Sequence, residues 1–164
     1  VGNDAARFYY VMRKSEQHID FDLDLAVSQS KDNAVYYIQY AHARVNRMVD
    51  VRAPEKNIAF DRTQLAHYDV SILVSNTETE LLAKLAAYPE IVARAANSYE
   101  PHQIGNYLKE LAALFHGWYA QDDVKILDEQ NIALSQARLV LSLNVQQVLK
   151  NGLTLLGVSA PESM

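Results

Sequence analysis

Apolar residues recur every three or four positions along most of this chain, and few helix-breaking residues interrupt the pattern. The 164 residues include only 5 glycines and 4 prolines. Apolar side chains at that spacing form one face of an α-helix, and such faces have to be buried against one another. The pattern therefore predicts an all-α fold, a bundle of five or six helices joined by short connections.

Polar breaks and prolines set the bounds of the predicted helices. Asp32 or Asn33 is expected to cap the second helix, Pro54 to end it, and Gly152 to cap the end of the last one. The predicted helices cover residues 4–14, 34–52, 77–88, 89–97, 101–121 and 131–151. Pro89 either kinks a single helix over 77–97 or begins the second of the two.

Two shorter patterns add detail. Thr77 precedes Glu80 by three residues, the spacing of a capping box at the start of a helix. Residues 18–25 alternate between apolar and polar or acidic side chains. This alternation predicts either an extended segment or the approach to a short helix that ends near Ser30.

The chain begins with Val, immediately ahead of the first predicted helix. We interpret it as a piece of a longer protein, with residues 1–33 the remnant of a preceding domain and residues 34–164 a helical domain. Phe8, Tyr9 and Phe21 would be exposed without the original neighbours of residues 1–33. We then expect self-association of the fragment through this linker surface.

Several kinds of site are excluded by composition. The absence of cysteine excludes a disulfide scaffold, a cysteine-ligated metal and a cysteine nucleophile, and it fits a reducing compartment. No run of about 18 apolar residues is present, so no membrane-spanning helix is expected. The sequence contains no nucleophile elbow, phosphate-binding glycine loop or H-E-x-x-H motif, so it gives no positive case for a catalytic centre.

A possible metal site also fails on its ligands. His18 precedes a D-x-D-x-D run at residues 20–24, which resembles the start of a calcium-binding loop. Such a loop needs glycine at its sixth position and a bidentate glutamate at its twelfth, but Leu25 and Lys31 occupy these positions. We therefore predict no metal site.

The charge of the chain is unevenly distributed. The formal net charge is −5, but residues 34–54 carry Arg44, Arg47 and Arg52 against Asp50 alone and are net positive by 2. The acidic balance argues against general binding to nucleic acid, which usually requires a basic surface. The single basic segment is also the richest in tyrosine.

In a helix, Tyr37, Tyr40, Arg44 and Arg47 fall on one face, at i, i+3, i+7 and i+10. Tyrosine rings can stack on unpaired bases, and guanidinium groups can bind phosphates or base edges. The face is therefore a candidate site for single-stranded nucleic acid. The alternative is that the rings pack between helices and the arginines are solvated, and spacing alone leaves both open.

Three blocks of the sequence, in the same order and covering most of the chain, resemble bacterial-type arginyl-tRNA synthetases. Residues 4–45, which include KDNAVYYIQYAHARV, are similar to the region that links the catalytic and anticodon-binding domains. Residues 99–119 and 137–164 resemble the helical anticodon-binding domain. Their sequences are YEPHQIGNYLKELAALFHGWY and ARLVLSLNVQQVLKNGLTLLGVSAPESM.

The resemblance implies an α-helical bundle that reads the anticodon loop of tRNA(Arg). The parent would be a class I arginine–tRNA ligase, a monomeric cytoplasmic enzyme that uses ATP with Mg²⁺ and arginine. That chemistry requires a nucleotide-binding domain with an H-I-G-H motif, and the nearest string here, HIDF at His18, does not match. The fragment is therefore expected to contain no catalytic residue, to hold no cofactor and to be inactive alone.

The resemblance also implies site residues. The family's Tyr-x-x-Tyr-x-x-x-Arg falls on Tyr37, Tyr40 and Arg44, and its final Met falls on Met164. The aromatic end of the helix before the last implies Trp118, with Tyr119 as a further candidate.

This sequence departs from the family at several basic positions, each of which removes a possible phosphate contact. Ser163 and Gln103 stand where the family often has a basic residue, and Gln146 stands where Arg is frequent. The Asp-Ala-Leu-Arg signature is only echoed by residues 136–139, Gln-Ala-Arg-Leu.

Two other function classes remain as alternatives. One is a helical protein-interaction module that uses the tyrosine-rich face. The other is residual activation of arginine by the fragment, which an ATP–pyrophosphate exchange assay would detect. Salt-dependent binding separates an RNA site from a protein site, because phosphate contacts weaken steeply as salt rises.

Overall fold

The computed structural model describes residues 2–14, 22–30, 32–121 and 124–164, and all regular secondary structure within these ranges is helical. The predicted all-α fold is confirmed. His18, Asp20, Phe21 and Lys31 lie outside the described residues. The helices are α1 (Asn3–Val11), α2 (Leu23–Val27), α3 (Ala34–Arg47), α4 (Ala53–Glu55), α5 (Asn76–Ala86), α6 (Tyr88–Ser98), α7 (His102–Tyr119) and α8 (Ile132–Leu155).

Helix α7 is the centre of the bundle and packs against α3, α5, α6 and α8. Its apolar residues recur at helical spacing, and Leu108, Leu111, Phe115 and Trp118 are fully buried. Burial of such side chains contributes about 1.5–3 kcal/mol each. The core therefore fixes the end of α7 close to α3.

Two glycines of α8 and its end have different roles. Gly152 was expected to cap the helix, but α8 continues to Leu155, so that prediction is wrong. A Cβ atom at Gly152 would lie 2.5 Å from Leu108 Cδ2, so this glycine allows α7 and α8 to approach closely. Gly157, with φ +68°, follows the C-cap Leu156 and adopts the left-handed conformation typical of a helix end.

Helix α3 begins as predicted, since the side chain of Asn33 accepts a hydrogen bond from the backbone N–H of Tyr36. Its end differs from the prediction. A π-helical turn, Met48–Arg52, continues α3 and leads into α4. Pro54 lies in the first turn of α4, directly after the π-helical turn, where the hydrogen bonds already depart from the regular α-helical pattern. The expectation that Pro54 ends the helical backbone was therefore wrong.

The capping box of α5 is displaced by two residues from the predicted one. Ser75 and Glu78 cap each other's backbone N–H groups, and Thr77 lies inside the helix instead. Glu78 is also held by Arg138 of α8, whose Nε donates to its carboxylate over 2.7 Å. Both Ser75 and Thr77 have a glutamate three residues later, so the sequence allows a capping box at either position. The buried pair with Arg138 involves Glu78 and therefore selects Ser75 as the cap.

The N-terminal part packs on the bundle. Helix α1 contacts α3 and α7, and Phe8 is only 4% exposed within the common core. The expected exposure of Phe8 is therefore wrong, whereas a domain boundary at residue 33 and self-association stay predictions. Asp22 caps the short helix α2, so residues 23–27 are helical rather than extended. No helix in the described ranges is both long and apolar enough to cross a bilayer.

Candidate nucleic-acid interface

Helix α3 exposes a polar face because its apolar face is anchored in the core. Ile38, Ala41 and Val45 are fully buried. This orientation leaves Arg44 at the border of the core and Arg47 in solvent. Tyr37 and Tyr40 are also only partly buried, as the predicted face requires.

A cavity of about 620 Å³ lies between α3, the π-helical turn, the end of α7 and the last residues of the chain. Three arginine side chains and two acidic side chains line it, so the formal charge of the lining side chains is +1. The residues that bear on its chemistry are Tyr40, Arg44, Arg47, Tyr119, Glu162 and Met164.

The guanidinium group of Arg44 is held between two aromatic rings. Its Cζ lies 4.5 Å from the ring centroid of Tyr40 and 4.5 Å from that of Tyr119. Its Nη2 donates to the hydroxyl of Tyr40 over 2.9 Å. Cation–π contacts and this hydrogen bond fix the plane of the group before any ligand binds.

His116 of α7 holds the same cluster from behind. Its ring lies 4.4 Å from the Tyr37 ring and 5.8 Å from the Tyr40 ring, measured between centroids. Nδ1 lies 3.2 Å from Arg44 Nη1, and Nε2 lies 3.2 Å from the Tyr37 carbonyl oxygen. Because arginine only donates and a carbonyl only accepts, Nδ1 is the acceptor and Nε2 carries the proton.

The surroundings favour the neutral imidazole. Burial lowers the pKa of His116 below its usual 6.5, and Arg44 acts in the same direction, which together outweigh the hydrogen bond to Tyr37. The sequence analysis did not single out His116 as a site residue. The available signal was its position three residues before Tyr119, on the same face of α7.

The sequence-predicted site residues fall into three environments. Tyr40, Arg44, Arg47 and Met164 line the cavity, while Tyr37 packs behind it against His116. Trp118 is 0% exposed in the core, and its indole N–H has no hydrogen-bond partner among the described residues. The structure does not bring Trp118 to the site, and Tyr119, 39% exposed, is the aromatic residue of α7 in the cavity.

Met164 is positioned by a polar stripe on α3, formed by Gln39, His42 and Asn46. These side chains donate to the backbone carbonyls of residues 159, 161 and 162 over 3.0, 2.8 and 3.3 Å. The tail therefore runs along α3 to the cavity, and Met164 remains 54% exposed at its rim. Burial is the main cause that lowers the pKa of His42.

Helix α1 fixes the start of the same tail. Asp4 accepts hydrogen bonds from the backbone N–H and hydroxyl of Ser159 and from Gln39, and Arg7 donates to the Gly157 carbonyl over 3.1 Å. Burial raises the pKa of Asp4, but the hydrogen bonds from Ser159 and Gln39 outweigh it and keep the value below the usual range. Asp4 is therefore an ionised anchor of the tail near neutral pH.

Comparisons with known proteins agree on one family. The model of the DALR anticodon binding domain matches residues 38–164. The arginine–tRNA ligase of Acinetobacter baylyi is 71% identical over all of this chain, and that of Psychrobacter cryohalolentis is 55% identical. The chain spans 27% and 28% of their lengths.

Two solved structures share the fold. A putative arginyl-tRNA synthetase from Campylobacter jejuni aligns with a TM-score of 0.83 at 26% identity, over 99% of this chain and 34% of that chain. The arginyl-tRNA synthetase of Thermus thermophilus aligns with a TM-score of 0.78 at 29% identity, over 98% of this chain and 26% of that chain.

Proposed function

Because this chain belongs to the DALR anticodon binding domain family, we propose that it binds the anticodon loop of tRNA(Arg) as part of an arginine–tRNA ligase. The relatives that cover the whole chain bear that name. A protein-docking role for the tyrosine-rich face is not favoured, since the matched family is named for anticodon binding.

The observation that carries this proposal is the arrangement of Arg44 in the cavity. Its guanidinium lies between Tyr40 and Tyr119. Both side chains also line the cavity. Aromatic rings and guanidinium planes are the groups on which unpaired bases stack. A guanidinium already oriented between them offers donors to a base edge or a phosphate at little cost in side-chain ordering.

The charge distribution supports the same ligand. Arg44, Arg47 and Arg52 meet at the cavity, and the remainder of the chain is acidic. An acidic chain discourages general binding to phosphates, whereas arginines gathered at a cavity favour local binding, which suits a single-stranded loop rather than extended duplex. Met164 provides an apolar contact at the rim.

We also propose that the longer protein attaches arginine to tRNA with ATP and Mg²⁺, as a monomeric cytoplasmic enzyme. The chain spans 27% of the Acinetobacter baylyi ligase that it matches, so we expect catalysis to require residues outside it and the fragment alone not to aminoacylate. Within the described residues, no group of three or more His, Cys, Asp or Glu side chains is placed to bind a metal ion.

Binding of a tRNA(Arg) transcript to the fragment, measured at low and at physiological salt, tests the proposal. Arg44→Ala should weaken binding about 10-fold, in the range of one good bidentate contact, with little change in melting temperature. Arg94→Ala is the matched control, because Arg94 lies on α6 outside the cavity. A change of the anticodon should weaken wild-type binding similarly.

Absence of tRNA binding by the wild-type fragment even at low salt would contradict the proposal. So would equal effects of the Arg44 and Arg94 substitutions, because binding would then not depend on the cavity. A large loss of stability in Arg44→Ala with unchanged binding would assign Arg44 to packing alone.

A further inference from the structure

We propose that His116 is a positioning residue for RNA, which holds Arg44 in its binding orientation by presenting an unprotonated Nδ1 to the guanidinium. The inference rests on the proposed function, since it concerns the same cavity. His116 itself is not among the residues that line the cavity, so its effect on RNA passes through Arg44.

The tautomer of His116 is set by helix α3. The Tyr37 carbonyl oxygen lies 3.2 Å from Nε2, and a carbonyl can accept a second hydrogen bond besides that of its helix. A proton on Nε2 leaves the lone pair on Nδ1 free. Arg44 Nη1 lies 3.2 Å from that lone pair and donates to it. Helix α3 thus holds the proton on Nε2 through the Tyr37 carbonyl, and the same helix carries Arg44, which donates to Nδ1.

The orientation of Arg44 depends on two hydrogen bonds at different nitrogens. Nη2 donates to the Tyr40 hydroxyl and Nη1 to His116, so the guanidinium cannot rotate about its long axis without losing one of them. The rings of Tyr40 and Tyr119 restrict only its tilt. Without His116, one of the two hydrogen bonds that fix rotation is missing.

A purely space-filling role predicts a different pattern. His116 is 9% exposed, and its ring packs beside Phe115, Tyr37 and Tyr40, so a phenylalanine ring could occupy the same place. Such a ring would keep the packing and remove the acceptor. The two roles therefore separate in a variant that retains the ring and loses only the nitrogen atoms.

The first test reads the tautomer directly in the free protein. Two-bond ¹⁵N–¹H spectra of the histidine rings at pH 7.5 should show His116 protonated on Nε2, with its signals identified by their loss in His116→Asn. His42 is the internal control, because its Nδ1 donates to the Pro161 carbonyl and it should therefore carry the opposite tautomer. A proton on Nδ1 of His116 would overturn the proposal.

The second test measures tRNA(Arg) affinity at constant salt. His116→Phe should weaken binding about 2- to 12-fold, the cost of ordering one long side chain on binding. His116→Asn, whose Oδ1 can take the place of Nδ1, should recover most of this loss. In the Arg44→Ala background, His116→Phe should have no further effect.

Two results would overturn the role of His116 while leaving the proposed function intact. One is wild-type affinity in His116→Phe when Arg44→Ala is weakened. The other is an equal loss from His116→Phe with and without Arg44, which would indicate packing. Failure of the wild-type protein to bind tRNA would instead refute the proposed function. A melting curve is measured for each variant. If His116→Phe does not fold, the tautomer of His116 in the wild-type protein tests the proposal.

Discussion

The buried ion pair between α5 and α8 permits a stability prediction from geometry. The side chain of Glu78 is 1% exposed and that of Arg138 is 11% exposed. Arg138 Nε donates to Glu78 over 2.7 Å, and its Nη1 donates to the Lys125 carbonyl over 2.8 Å. Glu78 also accepts from the Ser75 backbone N–H over 3.0 Å. Glu78→Gln removes the charge and retains the shape.

The expected loss follows from what the glutamine leaves behind. Its amide oxygen can still cap Ser75, but Arg138 becomes a buried cation without a counter-ion. Removal of one partner from a buried pair costs about 3–5 kcal/mol, and the surviving neutral hydrogen bond places this case near 3 kcal/mol. In a domain of this size, that loss corresponds to a decrease in melting temperature of about 6–12 °C.

Thermal and urea unfolding of wild type, Glu78→Gln and Glu80→Gln would measure the effect. Glu80 is exposed on the same helix, so its substitution should change stability by less than about 0.5 kcal/mol. A loss in Glu78→Gln no larger than that of the control would refute the reasoning. The double replacement Glu78→Leu with Arg138→Met should recover much of the stability, because no charge remains buried.

The pH dependence provides an independent check on the same pair. Burial raises the pKa of Glu78, but hydrogen bonds from Ser75 and Arg138 outweigh it, so the folded-state pKa lies below the ordinary 4.5. The carboxylate therefore stabilises the fold above the unfolded-state pKa, and this contribution is lost as pH falls through the folded-state pKa. The difference between wild type and Glu78→Gln should shrink in that acidic range.

Two further predictions concern packing and histidine protonation. Gly152→Ala should destabilise the fold by about 1–3 kcal/mol in urea unfolding, because its Cβ would meet Leu108. Gly117→Ala is the control, since the space around its Cβ is open, and it should stabilise α7 by up to about 1 kcal/mol. Equal effects would contradict the close approach of α7 and α8. Burial lowers the folded-state pKa of His42 and His116 below 6.5, so stability should fall as pH drops below 6.5, where the unfolded chain takes up protons. Urea unfolding at pH 7.5 and 5.5 would show this fall in stability, which should be smaller in His42→Asn.

The helices could be predicted from sequence because their signals are local. Apolar spacing located α3, α7 and α8, and Asn33 capped α3 as expected. The errors arose where contacts between residues far apart in sequence determine the local structure. Ser75 and Thr77 both have the sequence of a capping box, and only the contact of Arg138 with Glu78 favours Ser75. Glycine is typical of a helix end, but Gly152 lies inside α8, where the absence of a side chain allows α7 and α8 to pack closely.

The candidate site was predictable on α3 and much less so on α7. The spacing of Tyr40, Arg44 and Arg47 places them on one face wherever the helix packs. On α7, the adjacent residues Trp118 and Tyr119 point about 100° apart. Only the packed structure shows that Trp118 is buried and Tyr119 reaches the cavity. The role of His116 depends on two atoms of another helix, which no local pattern encodes.

The hydrogen bonds between Asp4 and Ser159 join residues 155 positions apart in the chain. Such a contact closes a very long loop, so it forms only after most of the intervening bundle has folded. Synthesis from the N-terminus makes the tail available last. We therefore expect the rim of the cavity at Met164 to form late in folding. Nascent or partly folded chains, which still expose α3, should then bind RNA weakly and not sequester tRNA from folded molecules.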